Sequence, residues 1–251
     1  MSAATDTAAV ADAGLRITRD GAVARIVLAR AATGNRIAQS AVVQLAAELR
    51  SIAADHTVKL VVLSADGDHF CQGREQGPVT ATAKPSALEL RARMMDPIVA
   101  VYAAFREVQV PIISLVQGEA HGFGAALAAS ADLTVAADNA RFSFPELKTD
   151  MPPTLAMATV MDRVAPKALA WMVYTNEVID AQTALQIGMV SRVVPTSELA
   201  ATGDALVAQL LERSHAALSG VKQYMARARL QHFHEAADTG RNLLAVVLSS
   251  K

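Results

Sequence analysis

Two short runs of branched apolar residues, Leu15-Arg-Ile-Thr-Arg-Asp-Gly21 and Val23-Ala-Arg-Ile-Val-Leu-Ala29, flank an Asp20-Gly21 turn and predict a β-hairpin. Past a loop at residues 30–34, Val42, Val43, Leu45, Ala46 and Leu49 recur at helical spacing, which predicts a helix over 37–53. Leu60-Val-Val-Leu63 has the continuous apolar character of a buried strand. Residues 64–77, with Gly67, Gly73 and Gly77, form a glycine-rich loop leaving the C-terminal end of that strand, the edge where ligands sit in open α/β sheets. Residues 78–85 are poor in apolar side chains and read as a mobile surface loop. A long helix follows over 86–107, broken or bent near Pro97.

The densest pattern lies at 110–137. Val110-Pro-Ile-Ile-Ser-Leu-Val116 feeds a turn with glycines at Gly118, Gly122 and Gly124, then an alanine-rich segment and the apolar run Leu133-Thr-Val-Ala-Ala137. This predicts strand, tight turn, helix, strand, with the free amides of a helix start placed above the turn. Ala140-Arg-Phe-Ser-Phe-Pro-Glu146 leads into a loop containing Pro152-Pro153. Helices are predicted over 154–164, 166–174 and 181–187, the last capped by Gly188, then a strand over 189–194. Helices over 197–213, 215–229 and 233–248 close the chain. The organisation expected is a disordered tail over 1–14, one β/α core over 15–195 and a helical portion over 196–251.

At 251 residues the chain is long enough for one full α/β core. Its 23 basic and 24 acidic residues are mixed and sum to −1, which leaves no electrostatic footprint for nucleic acid or an anionic membrane. The single cysteine, Cys71, excludes an intramolecular disulfide and a cysteine-based metal cage, and fits a reducing compartment. Residues 1–14 lack the basic and apolar regions of a signal peptide, and no apolar run approaches the ~18 residues of a spanning helix. A cytoplasmic protein is expected. His232 and His234, two apart, fall on different helix faces, and no metal is expected.

Four stretches in order resemble the crotonase, or enoyl-CoA hydratase/isomerase, superfamily. Asp68-His-Phe-Cys-Gln-Gly-Arg-Glu75 is similar to the family's F-[SAC]-x-G-x-D loop, and the element over 118–136 to its N-G-x-A-x-G-x-G-x-x-[LI]-A-x-x-x-D pattern. Ala140-Arg-Phe-Ser-Phe-Pro-Glu-Leu147 is similar to A-x-F-x-x-P-E, and residues 177–195 to I-x-A-x-E-A-x-x-x-G-L-V-x-x-V-V-P. The resemblance implies an α/β fold, a spiral of ββα turns with C-terminal helices that trimerise, often as a dimer of trimers. It also implies an acyl-CoA substrate, with coenzyme A carried on it and no separate cofactor. Two backbone amides would stabilise negative charge on the thioester oxygen. By alignment these are Gln72 and Phe123, with Cys71, Gly73, Gly122 and Gly124 as substrate-binding neighbours and Glu146 as acid/base.

The chain also departs from the family pattern. Hydratases carry a second glutamate three residues after the second amide donor, and this position is Ala126. One carboxylate suffices to move a proton between C2 and C4 of an enoyl thioester, so the resemblance implies 3-enoyl to 2-enoyl isomerisation or a lyase-like variant over hydration. A 2-enoyl-CoA hydratase and a catalytically degenerate acyl-CoA binder are the alternatives. Asp150 is a runner-up acid, and Thr154 stands where dienoyl isomerases place one. Arg30, Arg74, Lys84 and Lys148 are candidate partners for CoA phosphates. The acyl pocket is expected along residues 78–95.

Overall fold

The structure, a computed structural model, describes residues 14–75 and 85–249. The tail expected over 1–14 (Gly14 apart), Lys84 and the loop expected over 78–85 (Pro85 apart) lie outside the described residues.

In chain order the strands are β1 (Leu15–Asp20), β2 (Val23–Leu28), β3 (Leu60–Ala65), β4 (Ile112–Val116), β5 (Glu119–His121), β6 (Leu133–Ala137), β7 (Arg141–Ser143), β8 (Ile179–Asp180) and β9 (Arg192–Val194). The helices are α1 (Gln39–Ala53), α2 (Ala87–Leu90), α3 (Asp96–Glu107), α4 (Phe123–Ser130), α5 (Thr154–Val160), α6 (Pro166–Thr175), α7 (Ala181–Gln186), α8 (Leu199–Leu211), α9 (His215–Ala228) and α10 (Phe233–Ser249). One sheet has the order β1-β2-β3-β4-β6-β9, antiparallel only at the β1–β2 hairpin. A smaller sheet has the order β5-β7-β8. The chain passes from the large sheet to the small one, through α4 and back, giving the spiral that the resemblance implies.

The apolar run of β3 is continuous because both faces of the large sheet are covered. Val61 and Leu63 join the main core with Leu45, Leu49 and Phe105, whereas Leu60 and Val62 pack with Val207 of α8 and Leu218 of α9. Val43, counted in the α1 stripe, is exposed. The break expected near Pro97 is a π turn over Arg91–Met95, in which the Asp96 N–H bonds back to Arg91 O. Pro97, with no N–H to give, sits in the first turn of α3.

Every residue of α4 is buried, and its small side chains let the helix lie close to the strands on either side. At the C-terminus, Lys222 of α9 reaches into the core, bonding Asp132 Oδ2 at 2.8 Å and Val110 O at 3.0 Å. The last helix, α10, packs on α9 and leaves Phe233, Leu244, Val246 and Leu248 exposed. Among the described residues, no helix is long and apolar enough to cross a membrane.

Candidate active site

The loop after β3 is held between two neighbours. On one edge Cys71 pairs with Ala120 of β5: the Cys71 N–H donates to Glu119 O at 3.0 Å, and the His121 N–H donates to Cys71 O at 2.9 Å. On the other edge Arg74 pairs with Ile37, where the Ile37 N–H donates to Gly73 O and the Glu75 N–H to Ile37 O, both at 2.9 Å. The Gln72 N–H also leaves by this second edge and donates to Gly34 O at 2.9 Å.

That bond corrects the assignment of Gln72 as an oxyanion donor, because its amide is already engaged and points away from β5. In an extended strand the backbone groups of successive residues alternate between edges. Gly73, at φ 96°, breaks the alternation, so the Gln72 N–H and the Gly73 carbonyl leave together. The Arg74 N–H is thereby turned to the β5 side, and it meets no backbone acceptor among the described residues.

The Phe123 amide, the second donor the resemblance implies, stands at the start of α4. Gly122, at φ 52°, donates to Ser143 O at 2.8 Å and lets the chain turn from β5 into α4. Phe123 is the first residue of that helix, and its N–H is one of the start-of-helix donors without an intrahelical carbonyl. No backbone acceptor among the described residues takes it. Gly124 lies against the carbonyl of Cys71, and a Cβ there would stand 2.7 Å from Cys71 Cβ. This close approach lays the start of α4 against the strand that carries Arg74.

Glu146 follows buried Phe144 and sits in the 3-10 turn Pro145–Thr149. Its carbonyl accepts from Thr149 Oγ1 at 3.0 Å and from the Met151 N–H at 3.2 Å, which fixes the turn. Its carboxyl group lies against Gly122, where an added Cβ would stand 2.5 Å from Oε1. Oε2 is buried with no hydrogen-bond partner among the described residues. Desolvation raises the pKa of this carboxyl above the ordinary glutamate value. The ring of Tyr102 in α3 packs on Phe123 with centroids 5.7 Å apart. Burial first, and then the Glu146 charge, keeps the Tyr102 phenol protonated. Ala126, one turn into α4, is wholly buried and brings no acid.

Cys71 was expected among the substrate-binding residues. Its side chain is wholly buried, burial pushes its thiol up to about 12, and its backbone pairs with β5. His121 shares a 2.8 Å hydrogen bond between Nδ1 and Ser143 Oγ, and desolvation lowers its pKa. Asp150 is exposed in the left-handed region and ends the 3-10 turn, and Thr154 opens α5 on the surface. Arg30 is committed to Glu75, while Lys148 is exposed. The described residues contain no cluster of His, Cys, Asp or Glu fit to hold a metal.

The spiral brings two backbone amides without backbone acceptors among the described residues, those of Arg74 and Phe123, and the half-buried Glu146 carboxyl to the start of α4. The sequence model of the enoyl-CoA hydratase/isomerase family matches residues 18–250, and the chain belongs to that family. It is 29% identical to 2,3-dehydroadipyl-CoA hydratase of Escherichia coli K12, over 86% of this chain and 82% of that one. Among solved structures, an enoyl-CoA hydratase of Mycobacterium smegmatis superposes with TM-score 0.86 at 26% identity, covering 94% and 91% of the two chains. A candidate enoyl-CoA hydratase of Thermobifida fusca YX in complex with CoA superposes with TM-score 0.84 at 29% identity, covering 95% and 94%.

Proposed function

We propose that this protein is an acyl-CoA enzyme that isomerises 3-enoyl to 2-enoyl thioesters through an enolate. The observation that carries the reading is the pairing of one half-buried, desolvated carboxyl at Glu146 with the unoccupied Phe123 amide, across a glycine that admits both. The Arg74 and Phe123 amides would hold the thioester oxygen as charge develops on it. Glu146 as carboxylate takes a proton from C2, and as carboxylic acid returns it to C4 of the same enolate. Two-site hydration would position water between two acids, and Ala126 supplies none. A hydratase or dehydratase reaction is the second reading, favoured by the activity named for the E. coli relative.

CoA is carried on the substrate, so no separate cofactor enters. The apolar side chains that α10 leaves uncovered fit self-association as a trimer or a dimer of trimers. The test follows a 3-enoyl-CoA in buffered ²H₂O and H₂¹⁸O. Growth of the conjugated 2-enoyl product without ¹⁸O uptake supports isomerisation. No turnover of the 3-enoyl-CoA, with net ¹⁸O incorporation into a 3-hydroxyacyl product from the matching 2-enoyl-CoA, sinks it in favour of hydration. Binding of acyl-CoA with no turnover of either kind would leave a degenerate binder.

A further inference from the structure

Arg74 is a half-buried cation with no acid beside it among the described residues, unlike several other cations of the fold. Arg30 pairs with Glu75, Lys222 with Asp132, and Arg106 and Arg229 with Asp162. No carboxylate lies within ion-pair reach of Arg74 among the described residues. Residues 76–84, which follow it, contain no Asp or Glu. Its Nη2 is held by Gln39 Oε1 at the start of α1, and Gln39 Nε2 donates to Arg93 O of the π turn at 2.9 Å. Its Nε is buried with no hydrogen-bond partner among the described residues. The guanidinium is close enough to the phenol of Tyr102 to act on it electrostatically, and the Tyr102 ring packs on Phe123. The cation and Glu146 therefore both act on Tyr102, and the guanidinium is anchored by a neutral amide with its Nε unpaired among the described residues.

A desolvated guanidinium is stabilised by an anion that fills its remaining donors, and a carboxylate matches the fork bidentately. We propose that Arg74 receives a carboxylate at the far end of the acyl chain, so that this site takes short acyl-CoA thioesters of dicarboxylic acids in preference to neutral ones. The inference rests on the acyl-CoA reading above. Gln39 acts as the positioning residue, holding the fork against the π turn.

The test is calorimetric binding of unreactive, chain-matched thioesters: glutaryl-CoA against pentanoyl-CoA, and adipyl-CoA against hexanoyl-CoA. The wild type is expected to bind at least one carboxylated member about tenfold or more tighter than its neutral match. In Arg74→Met that ratio is expected to fall to one or below, and in Arg74→Lys to an intermediate value, since a point charge lacks the fork. Equal or tighter binding of the neutral members by the wild type overturns the proposal without touching the acyl-CoA reading, and needs no variant to fold. A preference that survives undiminished in a folded Arg74→Met protein also overturns it. Failure of all four thioesters to bind removes both readings together.

Discussion

Replacing Glu146 by Gln removes the charge while keeping the shape, and the structure assigns the change opposite effects on activity and stability. The carboxyl is desolvated and its Oε2 has no partner among the described residues, so its folded pKa lies above its ordinary value of 4.5. For an acid shifted upward, the native state holds the proton more tightly than the unfolded chain. Stability is therefore full below the unfolded pKa and is lost as pH rises through the folded one. At neutral pH the wild type carries that loss and the glutamine variant does not. With the group half-buried, the gain is on the order of 1 kcal/mol, the low end for an unsatisfied buried group. In a chain of this length that corresponds to about 2–4 °C in Tm.

The same substitution removes the acid/base. Loss of a positioned proton-transfer group lowers kcat by about 10²–10⁴, or roughly 3–5 kcal/mol in the barrier. In the wild type, kcat/KM should rise with pH through a group titrating above 4.5, as the free-enzyme base ionises. The assays are kcat/KM across pH on a 3-enoyl-CoA and thermal melts of both proteins at pH 4 and pH 8. The expected result is a variant that is nearly inactive, more stable at pH 8 and equal to the wild type near pH 4. Activity within a few-fold of wild type refutes the catalytic role. A variant less stable than wild type at pH 8 refutes the desolvation argument.

Other consequences separate the roles of neighbouring groups. Amide-to-ester replacement at residue 74 should lower kcat by about 10²–10³. The same replacement at residue 72 should instead cost about 1 kcal/mol in urea melts, because that N–H bonds Gly34 O; the reverse outcome restores Gln72 as the donor. Lys222→Met strands Asp132 against the core and should destabilise the protein by about 3 kcal/mol in denaturant titration. A change under 1 kcal/mol would show that α9 docks without that ion pair. The Cys71 thiol, pushed up to about 12, should resist a thiol reagent at pH 8 in the native protein and react fully in guanidinium. Rapid labelling of the folded protein would contradict its burial.

The large sheet was legible because its strands carry runs of branched apolar residues long enough to pattern, and the hairpin carried its own turn at Asp20-Gly21. The small sheet was not: β5 and β7 have three residues each and β8 has two, too short for any alternation to show. Its strands exist because Cys71, Ala120 and Phe142 are laid side by side by the spiral, a long-range fact. The exposure of Val43 was equally invisible, since helical spacing gives a stripe but not its edges. At the candidate site, motif order brought both glycine turns and Glu146 together, whereas the free amide of the first loop is that of Arg74 and not of Gln72. The direction of an N–H depends on one φ angle at Gly73, and residue spacing carries no record of that angle.

Gly122 shows why the site tolerates a single acid but not a side chain at its centre. Its positive φ turns β5 into α4, which leaves the Phe123 amide free, and its missing Cβ is the space that Glu146 Oε1 occupies. Orientation of the Phe123 amide and placement of the Glu146 carboxyl are thus both tied to one backbone position. An acid at 126 would enter a wholly buried helix position, whereas Glu146 approaches from a surface turn fixed by its own carbonyl. On the proposed reading, a carboxyl in that place would face one side of the enolate. It can serve two carbons in succession without a second group, which is what a proton shuttle requires and what addition of water across a double bond does not.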